Sequence, residues 1–229
     1  MRSREWGKIW NKRSVILKEE DLYSIDGFNM LTCYQWNTIV RFFCNKLCIN
    51  GNERFLEVGC GCGAFLSEIK KEYNDICISG FDISENIIKI ANQKVDGEFF
   101  VKDASDKEWN IDKSFDIIIS FSVFHYFDNL ISSENSMENI LDLLAEDGKI
   151  MIGDIPDKFY EEKDKEIRKQ GKRNRDGKAN HLYYSKDFFI DFSKKHNMKI
   201  EIIDHRYHIK DFFPNKDFRY TVILKKEHK

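Results

Sequence analysis

Phe55-Leu56-Glu57-Val58-Gly59-Cys60-Gly61-Cys62-Gly63-Ala64-Phe65 decides the fold of this chain. An apolar run meets an acid, three glycines follow on alternate positions, and helix-forming residues come next. A buried strand that turns sharply into a helix needs glycines at the turn. With no Cβ there, a ligand approaches the backbone closely. The turn also sets a helix N-terminus, with free N–H groups, beside that ligand. A carboxylate in such a loop suits a ligand carrying an ammonium or hydroxyls and repels a pyrophosphate.

Outward from the loop, strands and helices alternate. The sequence predicts strands at 54–58, 76–81, 98–101, 115–120 and 149–154. Helices are expected at 64–73, from Ser84-Glu85 onward, and around Met137 to Ala145, the last stopping at Asp147-Gly148. The run Ile117-Ile118-Ile119 suits a strand buried on both faces. This alternation implies an α/β fold, a three-layer sandwich with a mainly parallel seven-stranded sheet. A helix from Ser185 to about His196 precedes two last strands, 198–207 and 219–225. With no helix between them they form a hairpin, so the last strand runs antiparallel. Residues 1–53 read as a helical cap, with Tyr34, Trp36, Ile39, Val40, Phe43 and Leu47 at helical spacing and Gly51 as the stop. Residues 54–229 form the main domain. The charged segment 156–184 breaks the rhythm and reads as a lid over the acceptor.

The 229 residues suffice for one α/β domain, and a formal charge of −2 gives no support to a global nucleic-acid surface. No apolar run approaches the roughly 18 residues that span a membrane, and the charged N-terminus lacks a secretory apolar core. The expectation is a cytoplasmic protein with no nucleic-acid or membrane partner. Six cysteines include no C-x-x-C pair. Cys60 and Cys62 lie in the glycine loop, Cys44 and Cys48 one helical turn apart, and Cys33 and Cys77 alone. They read as free thiols. No set of acids has metal-site spacing, so no metal is expected.

The loop also fits the dinucleotide fingerprint through Gly59-x-Gly61-x-x-Ala64. Glu57, the 50-odd residues ahead of the motif and the downstream signals favour another cofactor. The chain, over roughly residues 30–225, resembles the class I S-adenosylmethionine-dependent methyltransferases. The resemblance implies that Glu57 helps hold the methionine ammonium, that Gly59, Gly61 and Gly63 approach that part and the ribose, and that a backbone carbonyl near Ser120 meets the ammonium. Asp82, in Gly80-Phe81-Asp82-Ile83-Ser84, ends the second strand, where a carboxylate accepts from ribose hydroxyls. Ile83 would pack on the adenine. Val101-Lys102-Asp103-Ala104 resembles the adenine-binding motif, with Asp103 accepting from the exocyclic amino group.

Ser120-Phe121-Ser122-Val123-Phe124-His125-Tyr126 resembles the family's motif after the fourth strand. His125 is either a general base or a residue that shapes the loop; His181, Tyr183 and Tyr184 are the next candidates to take a proton. The Asn/Asp-Pro-Pro-Tyr/Phe signature of amino methylation is absent. Tyr126, Tyr183, Arg173, Arg175, Arg206 and Arg219 are expected to hold an acceptor, the arginines by clamping an anion. Trp6, Trp10, Tyr34 and Trp36 either close the cofactor pocket or pack in the core. The resemblance therefore implies methyl transfer, most readily O-methylation, to a small phosphorylated, phosphoramidate or sugar-type acceptor, of the kind found in bacterial capsular polysaccharide biosynthesis. A dinucleotide oxidoreductase and a non-catalytic cofactor-binding module are the alternatives.

Overall fold

The computed structural model describes residues 2–16, 21–169, 181–209 and 216–226. Its centre is a seven-stranded sheet of order β3-β2-β1-β4-β5-β7-β6. The strands are β1 (Arg54–Val58), β2 (Cys77–Asp82), β3 (Glu98–Val101), β4 (Phe115–Phe121), β5 (Leu144–Pro156), β6 (Met198–Asp204) and β7 (Arg219–Lys226). β1 pairs parallel with both β2 and β4, so Phe55 stands between Ile78 and Ile117. β7 alone runs against the others, pairing antiparallel with β5 and with β6. The mainly parallel sheet and its reversed last strand agree with the sequence reading.

Both faces of the sheet are covered, which is why its strands are continuous apolar runs. Phe55, Ile117, Ile119 and Met151 point to one face, under α2 (Cys33–Leu47), α3 (Ala64–Glu72) and α4 (Glu85–Lys94). Leu56, Val58, Ile118, Ile150 and Ile152 point to the other, under α5 (Leu130–Asp142) and α7 (Lys186–Lys195). Successive residues go to opposite faces because the strand period is two. Ahead of α2 come α1 (Arg2–Ile16) and a single π-helical turn, Ser24–Phe28, opened by Gly27 at φ +100°.

Local signals explain the helix starts. Thr32 and Gln35 form a reciprocal capping box at α2. The Ser84 hydroxyl accepts from the Ile87 N–H and caps α4. α2 is core rather than an appendage: Trp36, Ile39, Val40, Phe43 and Leu47 are at most 2% exposed and share a cluster with Phe55 and Ile117. Tyr34, on the far side of that helix, is 73% exposed and closes nothing.

Boundaries moved most in two places. The helix expected around 137–145 lies at 130–142, because Asn129 caps it by accepting from the Ser132 N–H. Leu144 is then taken into β5 opposite Phe115. The sixth strand stops at Asp204 instead of residue 207. The Asp204 carboxylate accepts from the Arg206 N–H and opens a short helical turn, His205–His208. In the segment 156–184, α6 (Glu161–Lys169) is described, whereas Arg173 and Arg175 lie outside the described residues.

Candidate functional site

The carboxyl ends of β1, β2 and β4 open onto a cavity of about 930 Å³, with the open solvent at its mouth included. Gly59 and Gly61 form its floor. They have φ of +71° and +54°, in the left-handed region that favours glycine. A Cβ on Gly59 would sit 2.5 Å from Val123, and one on Gly61 would sit 2.2 Å from an Asp26 oxygen. Gly63, at φ +82°, caps α3 and packs toward Val95 and Phe99 instead of lining the cavity.

Four carboxylates line this space: Asp26, Glu57 and Asp82 beside the glycine loop, and Asp103 on the far wall. Asp82 accepts from the Gly61 N–H at 3.2 Å and the Ser84 N–H at 2.9 Å, so it fixes the loop as well as lining the site. Burial pushes its carboxyl up to about 6. Glu57 is 3% exposed, and its Oε2 has no hydrogen-bond partner among the described residues. Burial, then the charges of Asp26 and Asp82, hold it well above the usual carboxylate range. An unpaired buried carboxylate oxygen is costly unless something cationic arrives to meet it.

Sequence reasoning missed Asp26. It comes from the π-helical turn, and its two oxygens accept from the Cys62 N–H at 2.8 Å and the Ala64 N–H at 3.2 Å. It thereby satisfies donors at the start of α3. Burial pushes it up to about 7. Asp21-Leu22-Tyr23-Ser24-Ile25-Asp26-Gly27 carries no motif; the one available signal was an acid beside a glycine.

The far wall carries Lys102, Asp103 and Ala104, with Ile83 and Phe127. Asp103 accepts from the Ser105 N–H and hydroxyl through Oδ1. Ser120 is buried, donates its hydroxyl to the Val58 carbonyl and lies beneath the cavity; Phe121 and Ser122 face it instead. Near the mouth stand Trp6, Trp10 and Tyr126, the Trp6 and Tyr126 rings 4.2 Å apart. Trp36 and Phe28 complete an aromatic wall.

The proton-taking candidates do not share this space. His125 is 2% exposed and lies behind Tyr126, its ring 4.4 Å from that of His181. Burial, then His181, Arg219 and Arg168, push its imidazole well below the ordinary range. Its carbonyl accepts from the Leu182 N–H, which ties the loop after β4 to the segment before α7. His125→Ala should therefore lower turnover less than tenfold per folded molecule while lowering thermal stability; a loss of 10²–10⁴ at unchanged stability would mark it as the base.

Tyr184 is fully buried. Its hydroxyl donates to the Phe124 carbonyl and pairs with Ser133, away from the cavity lining. Tyr183, 5% exposed, donates to Asp164. Of the arginines expected to clamp an anion, the two among the described residues are also engaged elsewhere. Arg219, 4% exposed, donates to the Asp154 carbonyl and lies 3.6 Å from its carboxylate, and Arg206 pairs with Asp204 and Tyr160. Neither lines the cavity. Lys102 is its one cation among the described residues.

A family profile described as a methyltransferase domain matches residues 33–200. The chain belongs to the methyltransferase family. This methyltransferase is 24% identical over 173 residues to malonyl-[acyl-carrier protein] O-methyltransferase of Bacillus cereus, covering 74% of this chain and 63% of that protein. It is 29% identical over 122 residues to malonyl-[acyl-carrier protein] O-methyltransferase 1 of Ilyobacter polytropus, covering 50% and 44%. The chain thus spans less than two thirds of either relative. The plantazolicin methyltransferase BpumL, crystallised with a triazolic desmethylPZN analog and SAH, shares the fold with a TM-score of 0.68 at 18% identity over 98% of both chains. The family match displaces the dinucleotide oxidoreductase reading. None of these three is named for capsular polysaccharide or phosphoramidate chemistry. Among the described residues, no helix of this methyltransferase is long and apolar enough to cross a membrane.

Proposed function

We propose that this methyltransferase binds S-adenosylmethionine in the cavity and transfers its methyl group to an oxygen of a small acceptor. The observation that carries the reading is Glu57 Oε2, buried and unpartnered at the glycine loop. It awaits a cation, and the ligand's ammonium supplies one. The other residues present fit the same ligand. Gly59 and Gly61 leave no Cβ where it must approach, Asp82 suits ribose hydroxyls, and Ile83, Asp103 and Ala104 line the adenine end. When bound, the sulfonium provides an electrophilic methyl group, and the protein's task is to align the acceptor and exclude water.

Trp6, Trp10 and Tyr126 are the proposed acceptor side, with α1 as its cap and the described parts of the segment 156–184 as its cover. An acidic oxygen, a carboxylate or phosphate, is the acceptor that best suits a cavity from which His125 and Tyr184 are withdrawn, because it is already ionised at neutral pH and needs no base. The O-methyltransferase names of the two malonyl relatives agree with this choice. A pathway is not part of the proposal.

Calorimetric titration with S-adenosylhomocysteine and, separately, NADH tests the donor. Binding of NADH alone would end this reading. Asp82→Ala should weaken S-adenosylhomocysteine binding by about 1–3 kcal/mol through lost hydrogen bonds to a charged group; unchanged affinity would refute the ribose role. Transfer of labelled methyl to carboxylic or phosphorylated acceptors tests the other half. A protein that binds the donor yet labels no acceptor would be the non-catalytic module.

A further inference from the structure

We propose that Asp26 is a specificity-determining residue of the donor site, making the cavity favour the cationic methyl donor over its neutral demethylated product. This rests on the donor reading above. The observation is a juxtaposition. The π-helical turn before α2 delivers a carboxylate onto the glycine loop, where Asp26 accepts from the Cys62 and Ala64 N–H groups and lies against Gly61. There it joins Glu57, whose Oε2 is buried and unpartnered, and Asp82.

Donor and product share an ammonium, a carboxylate and an adenosine; they differ by the methyl group and the positive charge it confers on sulfur. Contacts to the shared parts bind both alike and cannot rank them. Net negative charge in a partly desolvated cavity does rank them, because Coulomb energy is less screened there than in water. Asp26 is suited to supply that charge. Its position at the α3 N-terminus, with two N–H donors, favours the ionised form. Burial and Asp82 oppose it, and the group sits at about 7. The groups that face it are the carboxylates of Glu57 and Asp82 and the thiols of Cys60 and Cys62, all acidic. Asp103, which acts on Asp82, and Lys102 line the same cavity. A cation entering this set draws Asp26 to its ionised state. Preference for the donor therefore strengthens as pH rises through about 7.

Asp26→Asn keeps an acceptor for one loop N–H and removes the charge. Titration of this variant with S-adenosylmethionine and with S-adenosylhomocysteine should show donor affinity falling about tenfold and product affinity changing less than threefold. Equal losses for both ligands would overturn the proposal and leave Asp26 a tie between strap and loop. The wild-type protein gives a second reading that needs no variant. Its ratio of donor to product affinity should rise severalfold between pH 5.5 and 8, and a flat ratio would overturn the proposal. Failure of the wild type to bind either ligand would sink the donor reading itself, a result distinct from both.

Discussion

Gly61→Ala should lower affinity for S-adenosylhomocysteine more than a hundredfold and lower the melting temperature by several degrees. Two independent costs meet at this residue. Its φ of +54° is strained for a residue with a Cβ by about 1–2 kcal/mol. The new methyl would also lie 2.2 Å from Asp26 Oδ1, so the carboxylate must leave. Its departure strips acceptors from the Cys62 and Ala64 N–H groups, at about 1–3 kcal/mol for each donor that stays buried and unpaired. The same backbone bonds Asp82 through the Gly61 N–H, so the displacement reaches a second cavity wall. Calorimetry and a thermal melt read both effects. An alanine variant that binds within tenfold of the wild type would mean that the loop relaxes freely and is not a built cradle.

Arg219→Met should destabilise the protein by about 3–5 kcal/mol, the range for stranding one partner of a buried ion pair. At about 2–4 °C per kcal/mol for a chain of this size, the melting temperature should fall by roughly 10 °C. Asp154 is 5% exposed and Arg219 4%. Burial raises the Asp154 carboxyl, against the lowering pull of Arg219 first and then of the Ser122 hydroxyl and Arg168. Removing the guanidinium leaves the acid unpaired in the interior. The double variant Arg219→Met, Asp154→Leu should recover part of the loss, since neither charge is then stranded. The alternative role, an arginine that clamps an anionic acceptor, gives a different signature: KM would rise with the melting temperature unchanged. That result would return Arg219 to the acceptor site.

Local rules made most of the frame legible. The glycine loop announced itself because strand, turn and helix are encoded within eleven consecutive residues. Asp82 was legible because its place at the end of β2 is fixed by the same rhythm, and Ser84 was free to serve as the cap. The reversed last strand followed from two strands with no helix between them. What escaped was tertiary. Asp26 reaches the loop across 36 residues of sequence, and neither periodicity nor motif marks that contact. His125 sits on a segment that borders the cavity and Tyr184 bonds to that segment, yet a strand end or loop offers two sides. Burial chose the inner side for both. Arg219 and Arg206 looked like unassigned cations because their partners, Asp154 and Asp204, come from other turns of the chain or from a cap that a sequence does not display.

The position of β7 between β5 and β6 also bears on how the protein is made. The last of the seven strands in chain order occupies the interior of the sheet. Until it emerges, the edge of β5 is unpaired and β6 has no neighbour to dock against, since β6 pairs with β7 in the finished sheet. From the completion of β5 until β7 arrives, the nascent chain therefore carries an open, apolar sheet edge, the kind of surface that recruits other strands. Only the arrival of Arg219 to Lys226 closes it. The demand for chaperone protection should thus peak between the synthesis of β5 and that of β7, just before the sheet is completed.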